Sequence, residues 1–518
     1  MKRVNGLIIS LLTVIFIFGC TKDILEKNPV AAFSPDNFYN NETEAHMALM
    51  GVYASIIPNN YSLHWFQFDF MSDNNYIQDS WQGSKEFGEW AHNSASLTAS
   101  EKWSKAYQTI GRANGFMENL DAMDNIEEEL KLQMKAEARF LRAYMYYDLI
   151  LFYGDVPLIL EVQSLDEAAV PRTAKQEVLS AILEDFNFAS ENLPLTYPGD
   201  QVGRATKGAA LAFKTRTLLY NEEWEEAAAV AQAVIDLGVY ELYEDYEGLF
   251  KEENENNVEV IFDIQYIKDL RPQTFPTSAV SFGEWPTPNV TLDLIDSYYM
   301  LNGLPIDDPS SGYQEQDPYA NRDPRLAASV VLPGSQMGDG ILIPANDVTI
   351  TGVRPRKYAD LGTSNRQNTA INTILMRYAD VLLMRAEALI EMGNTGQEVY
   401  DLINEVRNRV DMPSIEEVEG TGLSQEQLYN ILRHERRVEF FMEGTRYSDM
   451  YRWKDESLVH DVYGYNTAKL SDPSNPSTWE FEGVKLATRN FDPAKGWLWP
   501  IPLEEIQNNE ELTQNPGY

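Results

Sequence analysis

Several residue types are scarce in this chain of 518 residues. It has one cysteine, five histidines and only 41 lysines and arginines against 80 aspartates and glutamates, so the formal net charge is −39. A single cysteine excludes an internal disulfide and a thiolate metal cluster. The excess of acid also disfavours polyanionic ligands, because they would meet a field of their own sign. We therefore expect no nucleic-acid partner, and a neutral ligand rather than a strongly sulfated or uronic-acid polymer.

Motifs of catalysis and metal binding are also missing. No histidines stand at metal-ligand spacing on a helix, and the sequence has no His-Glu-x-x-His, Gly-x-Ser-x-Gly, P-loop or Gly-x-Gly-x-x-Gly motif. Asp307, Asp308 and Asp317 lack the EF-hand pattern of calcium loops. Among 80 carboxylates, some pair will always resemble a glycosidase dyad, so such a pair indicates nothing without distances. We expect no catalytic residue, no metal and no cofactor.

The first residues are typical of a secretory signal. Lys2 and Arg3 precede a run of twelve mainly apolar residues, 7–18, which is shorter than the roughly 20 residues of a membrane span. Gly19 then precedes Cys20, as in a bacterial lipoprotein signal, where the cysteine is acylated. We expect a signal peptide over 1–19, lipidation (palmitate) at Cys20 and a polar tether over 20–35. The alternative for Cys20 is a buried free thiol near a frayed terminus.

Hydrophobic spacing predicts a mainly α-helical body. Apolar residues recur with a period of 3.6, most regularly at Leu130, Met134, Ala138, Leu141, Met145 and Leu149. The predicted helices are 43–57, 100–120, 126–153, 178–193, 206–220, 224–237, 379–392, 396–410 and 425–443. Two pairs of neighbouring helices, 206–220 with 224–237 and 379–392 with 396–410, indicate tetratricopeptide-like hairpins. Alanines at 209, 212, 227, 228 and 231 would let the helices of the first pair approach closely.

Charged clusters accompany the late helices. Arg377 to Asp380, Glu435 to Glu439 and Glu443 to Arg446 could suggest catalysis, but acids and bases at helical spacing more often form ion pairs between helices. Long irregular segments at 61–97, 264–288 and 303–368 interrupt the helical pattern. In a helical chain, such segments are where binding residues usually lie.

Several segments together resemble the SusD/RagB family of Bacteroidetes outer-membrane lipoproteins. The matching motifs are Arg322-Asp323-Pro324-Arg325, Arg377-Tyr378-Ala379-Asp380, Glu435-Arg436-Arg437 and Glu443-Gly444-Thr445-Arg446, with further matches at 136–144, 153–158, 403–410, 500–506 and 514–518. They occur in family order across nearly the whole mature chain. The resemblance implies one SusD-like domain over 36–518: a scaffold of four tetratricopeptide-like helix pairs, with a late helical part at about 370–455 and an irregular, loop-rich ligand-binding region at about 61–97 and 264–320.

The resemblance also implies a role outside the cell. Such proteins cap a SusC-type TonB-dependent outer-membrane transporter, capture a polymer fragment and help to deliver it without cleaving it. Some family members bind peptides, so a peptide ligand is the main alternative to an oligosaccharide. A surface glycosidase is a further alternative.

The surplus of aromatic residues, 28 Tyr and 10 Trp, indicates where a sugar would bind. Sugar rings stack on flat aromatic side chains, while amides bind their hydroxyl groups. The predicted ligand contacts in the two loops are Trp81, Trp285, Tyr76, Trp65, Asn75, Asn74, Gln82, Trp90 and Phe282. For Trp65 and Trp90, the alternative to a ligand contact is a position in the hydrophobic core. A basic stretch, Arg354 to Lys357, could favour an acidic ligand if it reached the site.

Overall fold

The computed structural model describes residues 38–57, 67–78, 83–273, 289–337, 340–344, 349–359, 368–472 and 475–518. The predicted signal peptide, Cys20 and the tether lie outside the described residues. Within the described ranges, no helix combines the length and the apolar character that a membrane crossing requires.

Helices dominate the described residues, so the predicted mainly α fold class is confirmed. In chain order they are α1 (Glu42–Ile56), α2 (Gln67–Met71), α3 (Ser84–Gly88), α4 (Leu97–Asp121), α5 (Glu128–Tyr153), α6 (Lys175–Asn192), α7 (Lys207–Tyr220), α8 (Trp224–Ile235), α9 (Leu292–Ser297), α10 (Pro324–Ser329), α11 (Tyr378–Glu391), α12 (Gln397–Asn408), α13 (Ile415–Val418), α14 (Gln425–Glu439), α15 (Thr445–Trp453) and α16 (Leu503–Asn508).

The long helix α5 illustrates how the sequence pattern sets the scaffold. Its predicted apolar stripe is buried from Met134 to Leu149, and it packs between α4 and α6. The helix ends at Tyr153 because Gly154 adopts a left-handed φ of 73°, which an L side chain rarely tolerates. The predicted and observed helices differ by two residues at the start and agree at the end.

The two predicted helix pairs are present. Helices α7 and α8 pack closely because the alanines facing their contact, at positions 209, 212, 227 and 231, are fully buried and small. Thr206 caps α7 by accepting a hydrogen bond from the amide of Ala209 at 3.1 Å. The second pair, α11 and α12, is joined through Gly393, whose φ is 79°. Helix α11 also packs on α8, which joins the two pairs into one scaffold.

The prediction of one helix over 425–443 is wrong at its end. Helix α14 stops at Glu439, and a separate helix, α15, begins at Thr445. Between them the chain turns through Met442 and Gly444, with φ values of 63° and 73°. The turn directs the Glu443 carboxylate to the Arg377 guanidinium, at 2.7 Å from its Nε. An ion pair distant in sequence therefore ends the helix, which helical spacing could not reveal.

Strands are short and pair two by two in the described residues. They are β1 (Asn75–Tyr76), β2 (Val260–Ile264), β3 (Asn289–Val290), β4 (Val330–Val331), β5 (Gln336–Met337), β6 (Gly340–Ile341), β7 (Arg354–Pro355), β8 (Thr373–Arg377), β9 (Val462–Tyr465) and β10 (Gly483–Ala487). The pairs β1–β3, β2–β8, β4–β7, β5–β6 and β9–β10 are all antiparallel. The main hydrophobic core lies between the long helices, and a second core underlies β1, β3 and α9.

Candidate functional site

The strand pair β1–β3 joins the two segments that were predicted to bind ligand. Asn75 lies opposite Val290 and Tyr76 opposite Asn289 in antiparallel register. Thr291 strengthens the junction, since its amide donates to the Asn74 carbonyl at 2.9 Å and its hydroxyl to the Asp73 carbonyl at 2.7 Å. The described parts of the loops at 61–97 and 264–320 are thereby held side by side.

Three predicted contact residues lie buried at this junction. The Asn74 side-chain oxygen accepts a hydrogen bond from Arg437 Nε at 2.8 Å, and the Asn75 amide group contacts the Met442 sulfur at 3.7 Å. The Tyr76 hydroxyl donates to the Glu89 carboxylate at 2.7 Å. Asn74, Asn75 and Tyr76 thus hold the loop in place, and their direct contact with a ligand stays a prediction.

Trp90 lies in the main hydrophobic core with 4% of its surface exposed. Its ring stacks on Tyr451 at 5.6 Å between centroids, and Trp497 and Phe491 pack edge-on against it at 5.1 and 5.4 Å. This position agrees with the core alternative for Trp90.

The other predicted contacts, Trp65, Trp81, Gln82, Phe282 and Trp285, lie outside the described residues. Their roles stay predictions. The chain connections are nevertheless informative. Trp81 follows the described Gln78 by three residues, and Trp285 precedes β3 by four. Both tryptophans are therefore attached by short chain segments to the same pair of strands.

A cavity of about 340 Å³ opens between α4 and α5, and is called the α4–α5 cavity below. Ile56 and Phe68, on either side of residues 58–66, line it, as do Ile264 at the end of β2 and the start of α15. Sequence reasoning missed this cavity because helix residues, rather than the aromatic loops, form most of its wall. The signal that could have found it is the polar and aromatic side chains, such as Lys105 and Tyr144, that α4 and α5 present to it.

Charge and aromatic surface meet inside the α4–α5 cavity. Lys102 Nζ donates to Asp148 at 2.6 Å and lies 4.6 Å from the centre of the Phe68 ring and 5.1 Å from that of Phe152. Burial raises the pKa of Tyr144 and of Tyr147 further above neutral pH. The wall thus offers hydroxyl groups, ring edges and paired charges, a mixture that suits a polar, hydroxylated ligand.

Asp73, Asp293 and His460 form the one described group of potential metal ligands, with ligand atoms within 4.8 Å of one another. Arginines already neutralise it: Arg446 binds Asp73 at 2.8 and 2.7 Å, and Arg437 binds both carboxylates. Although burial opposes it, Arg437 and then Arg446 hold the pKa of Asp73 below its ordinary value. The group is therefore a cluster of ion pairs next to the β1–β3 junction, which it stabilises.

The charged motifs of the late helices are buried ion pairs. Arg377 binds Glu259, Glu439 and Glu443, and Arg436 binds Asp380 and Asp449. This geometry agrees with the interpretation of these motifs as ties between helices.

The basic stretch at 354–357 is also engaged within the protein. Lys357 Nζ donates to Glu443 at 2.9 Å, and Arg356 pairs with Glu247 at 2.9 Å. These two cations are therefore committed to the fold.

Comparison with known sequences identifies the family. The profile of the SusD family matches residues 246–518, more than half of the chain, and a second profile, described as starch-binding associating with outer membrane, matches residues 23–219. The chain belongs to the SusD family, as its motifs predicted.

Individual relatives agree with this assignment. The chain is 26% identical to SusD-like protein P25 of Formosa agariphila, over 100% of both chains. It is 25% identical to the starch-binding protein SusD of Bacteroides thetaiotaomicron, over 79% of this chain and 76% of that protein. The solved structure of a SusD-like carbohydrate binding protein from Bacteroides fragilis is similar with a TM-score of 0.81 and 29% identity, over 92% of this chain and 100% of that one. The SusD-like helical fold is confirmed.

Proposed function

We propose that this protein is a cell-surface glycan-binding lipoprotein of the outer membrane, which captures an oligosaccharide and delivers it to a SusC-type TonB-dependent transporter without cleaving it. The observation that carries the proposal is the β1–β3 pair, which joins two segments rich in tryptophan and amides. Family relatives described as carbohydrate-binding and starch-binding support it.

The physical basis is the match between sugar chemistry and this region. A sugar ring presents a flat C–H face to an aromatic ring and hydroxyl groups to polar side chains. Trp81 and Trp285 would supply the flat faces from the two loops. Tyr144, Tyr147 and Gln108 line the α4–α5 cavity and would supply hydrogen bonds there.

Capture without cleavage is supported by the ion pairs of two of the three carboxylates that line the α4–α5 cavity. General acid catalysis on a glycosidic bond needs a carboxyl group free to exchange a proton with the substrate. Asp148 is paired with Lys102, and Glu443 is paired with Arg377 and Lys357. Binding to glycans on an array, with no reducing ends released when the protein is incubated with them, would agree with a binding role. Release of reducing ends would favour the glycosidase alternative.

The decisive experiment is isothermal titration of oligosaccharides against the protein and its Trp81→Ala and Trp285→Ala variants. We expect both variants to lose binding while keeping the thermal unfolding midpoint of the parent protein. A matched control is Trp224→Ala, at the start of α8, which should leave the affinity unchanged. Unaltered binding in both loop variants would refute the site. A peptide library run in parallel tests the peptide alternative, and binding there without glycan binding would overturn the proposal.

The membrane and transporter parts need their own test. We expect Cys20→Ala to abolish acylation and to release the protein from outer-membrane fractions. The parent protein should co-purify with a SusC-type transporter encoded in the same cell. Recovery of the variant in the membrane fraction, or of the parent without a transporter, would contradict these two parts.

A further inference from the structure

Three basic side chains lie close enough to one another to interact electrostatically, and are called the cation triad: Lys105, Arg112 and Arg271. Lys105 lines the cavity. Arg112 lies seven residues later on α4 and so on the same helix face, and its Nη1 lies 3.4 Å from the Gly51 carbonyl of α1. Arg271 approaches the same helix, with Nη2 at 3.5 Å from the Ala54 carbonyl.

The cation triad has no carboxylate partner within the part of the chain that the structure describes. Among the described residues, none of the three forms an ion pair with a carboxylate within 4.0 Å. The neighbouring cations of the cavity differ in this respect, since Lys102 pairs with Asp148 and Arg216 with Asp380. In a chain of net charge −39, three neighbouring bases without a carboxylate partner in the described residues form a local excess of positive charge.

The pKa of Lys105 reflects the positive charges of the two arginines. Burial lowers the pKa of Lys105, and the charges of Arg112 and Arg271 lower it further. The C-terminal end of α1 accounts for the approach of the two arginines, because helix carbonyls attract cations. It does not account for Lys105, whose ammonium group donates no hydrogen bond to a carbonyl or carboxylate among the described residues. Glu101 also lines the cavity, and leaves one acid against the three bases of the triad.

We propose that the cation triad binds an acidic substituent, a carboxylate or sulfate group, of the oligosaccharide held in the α4–α5 cavity. This inference rests on the proposed glycan-binding function and names its ligand class. An anionic group at Lys105 would relieve the repulsion among the three bases and would supply the partner that each lacks. Local charge would then override the preference for neutral ligands that the net charge of the whole chain suggests, as happens where a cleft focuses a field of one sign.

The test compares size-matched ligands that differ only in charge. One pair is a uronic-acid oligosaccharide and its carboxyl-reduced form, and the other is a sulfated oligosaccharide and its desulfated form. By isothermal titration we expect at least one acidic member to bind about tenfold more tightly than its neutral form, and this preference to shrink at high salt. The two arms distinguish carboxylate from sulfate as the recognised group.

Variants of the triad assign the effect to its residues. Lys105→Gln and Arg112→Gln should each remove most of the preference for the acidic form over its neutral counterpart. Lys485→Gln, which removes one positive charge from β10, is the matched control and should change neither affinity. Thermal melts identify any variant that fails to fold, and the second variant then carries the test.

The outcomes separate the two proposals. Equal affinity for acidic and neutral forms, or a preference that survives both triad variants, overturns the acidic-ligand inference and leaves glycan capture standing. Failure of every oligosaccharide to bind overturns both.

Discussion

The Arg377 guanidinium binds both oxygens of the Glu443 carboxylate, with Nε to Oε2 at 2.7 Å and Nη2 to Oε1 at 2.8 Å. Arg377 is the last residue of β8, directly before α11, and Glu443 lies in the turn before α15; their side chains are only 1% and 5% exposed. A bidentate pair removed from water fixes the relative orientation of the two helices. The same turn places Gly444 in the wall of the α4–α5 cavity, so this ion pair connects scaffold and site.

Replacing Arg377 should strongly destabilise the protein. Arg377→Met leaves Glu259, Glu439 and Glu443 buried with fewer positive partners, and breaking a buried pair in this way costs about 3–5 kcal/mol of unfolding free energy. Urea unfolding monitored by circular dichroism measures it. The control, Lys485→Met, breaks a pair whose lysine side chain is 47% exposed, and should change the unfolding free energy by about 0–1 kcal/mol. Similar losses for both variants would contradict this account.

Much of the scaffold follows from local sequence, and this explains which parts could be predicted. The period of 3.6 in α5 and the glycine at 154 depend on neighbours within one helix, so both were predicted correctly. The end of α14 depends on Arg377, which lies 66 residues before Glu443 in the sequence. A contact of that separation leaves no periodic trace, and the predicted helix therefore ran too long.

The candidate site also has features that the sequence predicts and features that it does not. Aromatic and amide composition singled out the segment containing Asn74, Asn75 and Tyr76. Composition does not reveal that the Asn74 side-chain oxygen accepts a hydrogen bond from Arg437. The α4–α5 cavity depends on how helices cross, and the approach of Arg271 to Lys105 and Arg112 brings together segments far apart in the sequence. Neither feature is encoded in any one stretch of sequence.

The Trp90 ring should contribute to stability rather than to ligand affinity. Its faces are covered by Tyr451 and Trp497, so Trp90→Ala should lower the unfolding free energy by about 3–5 kcal/mol through cavity formation. Trp90→Phe keeps part of the packing and should lose less. We expect the Trp90→Phe variant to bind oligosaccharide with the parent affinity in isothermal titration. A clear loss of affinity in this folded variant would instead identify Trp90 as a ligand contact.

Asp69 should make stability depend on pH. Burial raises the pKa of its carboxyl from 3.8 to about 7, although the hydrogen bond from the Gly444 amide, at 2.7 Å, acts in the opposite direction. Between about pH 4 and pH 7 the folded protein keeps a proton on Asp69 that the unfolded chain releases. The free energy of unfolding therefore falls as the pH rises through this window.

The variant Asp69→Asn removes that titration and keeps an oxygen to accept from Gly444. Relative to the parent, it should gain stability progressively from pH 4 to pH 7 and keep the full gain above pH 7. Urea midpoints of both proteins at matched pH values measure the difference, so that other titrating groups cancel. A difference that is independent of pH would show that Asp69 is ionised throughout.

Thr291 should couple stability to ligand binding, since it holds the two predicted ligand loops together. Its hydroxyl donates to the carbonyls of Asp73 and Asn74 at 2.7 and 3.1 Å, and it caps α9 through the Leu294 amide at 3.3 Å. Thr291→Val preserves shape but removes these bonds, and should cost about 1–3 kcal/mol of unfolding free energy. Because the β1–β3 junction then loosens, oligosaccharide affinity should also fall. The control, Thr291→Ser, keeps the hydroxyl and should retain most of the unfolding free energy and of the oligosaccharide affinity. If Thr291→Val is destabilised but binds oligosaccharide as the parent does, the β1–β3 junction does not support the binding site.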